Sequence, residues 1–372
     1  MPTTTPKKSK ANPRSTDPNT LSNILDFVTT ATSLNYGLSF EKRALEGDVL
    51  HEMRCVSEEG YAEVWLDSSF VVVKAVEVDG EELGELGGEV EKPEGKQAAG
   101  EVDDNEVAGW KLEERVKPYG SRLRILLGRK VDKDETLTVK IGFRTTEECT
   151  ALGWMDPEQT SNKEQPYMCM SCPPPRLVFF FILSCHHFFF FFFIYSEKKK
   201  QKKLTGLLDS QCQAIHCRSL FPCQDAPAVK ATYHSTIRSP LPVVVSGLST
   251  STKSMGEGVM EYEFEQKIPI PSYLYAVASG DITSAKIGPR SSLWTGPDEL
   301  ERCKKELEND TEKFIQAAEN IIYPYPWETY NVLVLPPSFP YGAMENPNMT
   351  FATPTIIAGV GFDSSFTCEM EN

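Results

Sequence analysis

Phe339-Pro340-Tyr341-Gly342-Ala343-Met344-Glu345-Asn346-Pro347 stands near the end of a 372-residue chain, and its order of side chains reads as a strand that presents an edge. Gly342 and Ala343 carry little or no side chain, so an extended peptide can approach their backbone and pair with it. Glu345 follows, a carboxylate suited to a free α-ammonium through charge-assisted hydrogen bonds worth roughly 1.5–3 kcal/mol each. Taken alone, the same residues also fit a buried strand with a glycine bulge and Glu345 as a surface charge.

Working outward, Tyr330 to Leu335 is an apolar run of strand length, broken by Asn331 and stopped by Pro336 and Pro337. Before it, Leu300, Cys303, Leu307, Phe314, Ile315, Ala318 and Ile321 recur mostly at three or four residues, which predicts one long helix or two over Asp298 to Ile322. Pro297 opens that stretch, and Pro324 and Pro326 lie beyond its end. Upstream the texture is different. Short runs such as Leu34 to Phe40, Tyr61 to Leu66, Phe70 to Val78, Arg122 to Leu127, Glu135 to Phe143, Ala228 to Tyr233, Gly258 to Glu265 and Tyr273 to Ala278 predict a largely antiparallel β domain that gives way to an α/β one near residue 285.

The net charge of -15 argues against a nucleic-acid partner, because phosphate binding needs clustered Lys and Arg. Ten cysteines scattered through a chain this large read as reduced thiols of a cytoplasmic protein. Residues 1 to 20, mostly Pro, Thr, Lys, Ser and Asn, read as a disordered leader without the apolar core of a secretory signal. Gly80 to Gly109 holds ten acidic side chains among glycines and reads as a solvated loop.

Two segments do not fit a β domain. Leu177 to Tyr195 is a run of 19 residues, nine of them Phe, followed by Lys198, Lys199, Lys200, Lys202 and Lys203. Its length and basic flank would suit a membrane anchor. Its centre, however, is the polar Ser184-Cys185-His186-His187, and a span would split one β domain across a bilayer. Homopolymeric Phe and Lys are also what pyrimidine-rich and adenine-rich non-coding sequence yields when translated, so residues 169 to 209 read as an aberrant insert. Residues 360 to 372 are polar and unpatterned, and read as an aberrant tail on a truncated domain.

The string from Leu333 to Thr355, with Gly342-Ala343-Met344-Glu345-Asn346 at its centre, resembles the gluzincin zinc aminopeptidases, peptidase family M1, in their leukotriene A(4) hydrolase and fungal aminopeptidase branch. Trp154 to Thr160, Gln211 to Asp225, Ile268 to Leu274 and Ile287 to Arg290 extend the resemblance over about residues 21–168 and 210–359. It implies a mainly β fold, with a saddle-like antiparallel domain over 21–285 followed at 286–359 by the truncated start of an α/β thermolysin-like catalytic domain.

The resemblance also implies roles for particular residues. Glu345 would anchor the substrate's free amine, with Gln213 assisting, and the backbone of Gly342 and Ala343 would align the peptide. Pro340 and Tyr341 would shape the first side-chain pocket, with Gln211 and Cys212 beside Gln213 and Met344 within the gripping strand. Partners would be peptides with a free N-terminus and a fatty-acid epoxide, at a zinc centre built on a His-Glu-x-x-His helix. No such motif occurs in the 372 residues; the near match His51-Glu52-Met53-Arg54-Cys55 ends in Cys within strand-like sequence. A structural zinc can be drawn at Cys169 and Cys172, or at Cys212, His216, Cys217 and Cys223, but these read as insert border, core and pocket. The expectation is therefore no metal ligand and no bound cofactor in this chain, which would be inactive by itself. A non-catalytic module that binds peptide ends and a membrane-anchored protein stand as alternatives.

Overall fold

The structure is a computed structural model that describes residues 15–86, 108–156, 212–336 and 342–357, together with the backbone of 167–169. The Phe/Lys-rich insert beyond Cys169, the tail from 360, most of the leader and most of the acidic loop lie outside the described residues. The same holds for Gln211, Pro340 and Tyr341.

Alternation in the sequence builds the first core. In Thr136–Thr145 the residues Leu137, Val139, Ile141 and Phe143 are buried while those between them face outward, as a period of two requires. Eight strands join in one sheet, in the order Leu248–Gly256, Val259–Pro271, Lys230–Ser239, Phe27–Ser39, Ala44–Cys55, Thr136–Thr145, Val71–Val78 and Glu81–Leu83. Every pairing in it is antiparallel except that of Phe27–Ser39 with Lys230–Ser239. A three-stranded sheet, Tyr61–Ser68, Ser121–Val131 and Gly109–Leu112, contributes Val64, Leu66, Leu123 and Ile125 to the same core. A four-stranded sheet combines Gly153–Met155 and Tyr167–Cys169 with Val243–Val245 and Val277–Ser279. Strands from both sides of the Phe-rich run thus share sheets. Among the described residues, no helix is long and apolar enough to cross a membrane.

The last sheet is mixed and runs Thr283–Lys286, Ser291–Thr295, Tyr330–Val334, Met349–Ala352 and Ala343–Asn346. The helical stretch ahead of its third strand is two helices, Leu300–Leu307 and Thr311–Ile321. Glu308, Asn309 and Asp310 separate them, and the Thr311 hydroxyl donates back to the Leu307 carbonyl at 2.7 Å. One apolar cluster spans the two regions, with Met155, Val244, Ala276 and Ala278 from the earlier strands and Leu333, Met349 and Phe351 from the mixed sheet. This cluster fixes the sheet that carries Glu345 against the β domain. The six described cysteines outside strand 167–169 are free thiols and buried.

Candidate functional site

Gly342, Ala343, Met344 and Glu345 come together on the edge of the mixed sheet. Ala343–Asn346 pairs antiparallel with Met349–Ala352 in unbroken register, placing Glu345 opposite Thr350. The strand ends the sheet order, so its other edge has no ladder partner among the described residues. An unpaired edge of this kind is a template for one further strand. No bulge interrupts it, which removes the bulged buried-strand alternative.

The period of two sorts the side chains. Ala343 and Glu345 are exposed on one face, whereas Met344 packs towards the shared apolar cluster and Asn346 is buried. A Cβ built on Gly342 would meet nothing within 4 Å, and the Gly342 carbonyl accepts from the Thr353 amide at 3.2 Å. The backbone at Gly342 is therefore anchored on one side and open on the other.

Ala343 and Glu345 form one wall of a groove of about 740 Å³, with Phe314, Ile315, Tyr325 and Trp327 among its other lining residues. The helix on that side is clamped by Arg290, which bonds Glu312 at 3.1 Å and Glu319 at 2.7 Å. The Arg290 hydrogen bonds hold the Glu319 carboxyl down at about 2. Burial pushes the Tyr325 phenol up to about 12, so it enters the groove as a neutral hydroxyl at ordinary pH.

Two residues that spacing does not reveal set the position of this wall. Asn348, in the hairpin turn after Glu345, has φ +64° and donates its amide to the Trp327 carbonyl at 2.5 Å. Its Oδ1 accepts from Gln266 of the β domain at 2.8 Å, and the backbone carbonyl of Ser246 accepts from the same Gln266 amide nitrogen at 3.2 Å. The left-handed φ suits Asn.

Gln213 lies on a turn leading into Cys217–Ser219, where it is exposed and Cys212 is buried. Arg218 pins this segment through Asp67 at 3.2 Å, Asp225 at 3.0 Å and the Tyr119 carbonyl at 2.8 Å. Ser272 adds a bond to Asp225 at 2.6 Å.

A catalytic zinc does not fit the histidines described. His51 is buried on the strand Ala44–Cys55, with Nε2 2.8 Å from the Pro222 carbonyl and Nδ1 3.1 Å from the Thr32 hydroxyl. A carbonyl only accepts, so Nε2 carries the proton and Nδ1 takes the Thr32 hydrogen bond. Both ring nitrogens are spent, and on a strand Cys55 lies about 13 Å from His51. His216 bonds Thr150 at 2.8 Å, and His234 is exposed on a strand.

Two family models match the chain: the Peptidase M1 N-terminal domain over residues 190–274 and the Peptidase family M1 domain over 305–369, which includes the whole strand Ala343–Asn346. By these two matches the chain resembles peptidase family M1. Leucine aminopeptidase 2 of Coccidioides immitis (strain RS) is 44% identical over 345 residues, 92% of this chain and 45% of that relative. Native yeast LTA4 hydrolase matches with a TM-score of 0.69 and 38% identity, over 94% of this chain and 43% of the solved one. The yeast enzyme in complex with bestatin gives a TM-score of 0.68 at 38% identity, over 96% and 44%. The chain thus spans less than half the length of these relatives.

Proposed function

We propose that this chain supplies the amine-gripping part of a zinc aminopeptidase that removes N-terminal residues from peptides. Glu345 anchors the α-ammonium with Gln213 assisting, and the Gly342 and Ala343 backbone pairs with the peptide. Pro340 and Tyr341 shape the first side-chain pocket, with Gln211 and Cys212 beside Gln213 and Met344 within the gripping strand. The observation that carries this reading is the open sheet edge ending in Glu345 on an apolar groove wall. Its support from relatives is the aminopeptidase name of the Coccidioides protein and the bestatin bound to the yeast one.

The same reading assigns 21–285 to a saddle-like β domain and 286–359 to the start of the catalytic domain, in a cytoplasmic protein. Hydrolysis of a fatty-acid epoxide rests on the LTA4 hydrolase likeness. When bound in the family, zinc supplies an activated water. The described residues of this chain hold and orient the peptide end, and the 372-residue polypeptide by itself is expected to bind amines without cleaving them. That is also how a non-catalytic module for peptide ends would behave. Calorimetric titration with leucinamide and N-acetyl-leucinamide tests the shared premise. Binding of the free amine alone is expected, and equal behaviour of the two would overturn it.

A further inference from the structure

The Cys217 to Asp225 segment gathers soft ligands that the peptide-gripping edge does not use. The Cys217 and Cys223 thiols and a carboxylate oxygen of Asp225 all lie within 4.8 Å of one another. The Cys212 thiol is hydrogen-bonded to that of Cys217, which in turn bonds Cys223. All four residues are at least 97% buried. The spacing Cys217-x5-Cys223-x-Asp225 brings every ligand from one short stretch of chain, so closing the loops around an ion costs little entropy.

We propose that Cys217, Cys223 and Asp225 hold one thiophilic divalent ion of the zinc and cadmium class. The donor set of two soft sulfurs and one carboxylate suits such an ion. Charge also balances. The ion replaces the protons of the Cys217 and Cys223 thiols, forming two metal–sulfur bonds and releasing two H⁺, so the buried charge is unchanged. Asp225 has capacity to join: it accepts from the Arg218 amide at 3.2 Å, the Arg218 guanidinium at 3.0 Å and Ser272 at 2.6 Å, leaving one of about four lone-pair positions. The sequence reading passed this cluster over as core and pocket because a run of cysteines inside an apolar motif gives no sign of which thiols meet.

Cadmium is the probe. Chelator-stripped, reduced protein in weak buffer is titrated with Cd²⁺ while thiolate-to-cadmium absorption and released protons are followed. One equivalent with about two protons per ion is expected. Cys217→Ser and Cys223→Ser should abolish the band, whereas Cys55→Ser, Cys303→Ser and the Cys169→Ser/Cys172→Ser double variant should keep it. Survival of the band in both single variants, or uptake without proton release, overturns the assignment. If the serine variants do not fold, wild-type protein is pulsed with a maleimide in mild denaturant. Cadmium should then protect Cys217 and Cys223 from alkylation, and labelling at the cadmium-free rate sinks the proposal.

Discussion

Acidification should unload stability through one buried ring. His51 is fully enclosed and neutral, and burial lowers it to about 4 from the 6.5 of an unfolded chain. Above pH 6.5 neither state holds the extra proton, so the contribution is fully present. Between 6.5 and 4 the unfolded chain takes up a proton that the fold refuses, and stability falls with pH; below 4 the loss stops. At about 1.4 kcal/mol per pH unit the full window is worth roughly 3.5 kcal/mol, of which about 2.5 kcal/mol is lost by pH 4.5. Burial lowers His216 as well, so the wild type alone does not isolate the effect. Urea unfolding at pH 7.5 and pH 4.5 of wild type and His51→Gln does so. The variant keeps a donor and an acceptor but does not titrate, and it should lose about 2.5 kcal/mol less than wild type over that interval. Equal losses, or a difference under about 1 kcal/mol, would refute the reasoning.

Further tests address other parts of the scaffold. Arg218→Met strands Asp67 and Asp225 in the interior, and chemical denaturation should show a loss of about 3–5 kcal/mol. Asn348→Ala forces an alanine to φ +64° and leaves the Trp327 carbonyl and Gln266 without their partner. A loss of about 1–3 kcal/mol in the melt is expected, with weaker leucinamide binding. The Arg290 clamp is fully formed above the ordinary glutamate range and should fail as pH falls from about 4.5 towards 2. Amide exchange in Thr311–Ile321 should then accelerate, and Arg290→Gln should show that rate already at neutral pH.

What the sequence disclosed depended on whether a residue's role leaves a periodic trace. Thr136–Thr145 was legible because its apolar residues alternate without a break. Leu248–Gly256 was not: its Ser, Thr and Lys side chains are mostly exposed at a sheet edge, so nothing apolar marks it. The 298–322 stretch left one helix or two open because Leu300 to Ile321 keep near-helical spacing across the Glu308–Asp310 break. The parallel pairing of Phe27–Ser39 with Lys230–Ser239 joins segments about 200 residues apart, which no local pattern encodes. Within the site, Gly342 to Glu345 were readable from small residues followed by a carboxylate. Asn348 and Gln266 were not, since a polar residue in a turn and another in a Glu-rich strand acquire their meaning only when the fold brings them within 2.8 Å.

The central claim is that Glu345 is the amine anchor. Leucinamide affinity of the 372-residue protein and its Glu345→Gln variant, measured side by side by calorimetry, tests it most directly. Loss of a charge-assisted bond of roughly 1.5–3 kcal/mol predicts binding weaker by about one to two orders of magnitude, with N-acetyl-leucinamide no better than before. Unchanged leucinamide affinity in a folded Glu345→Gln protein would contradict the account.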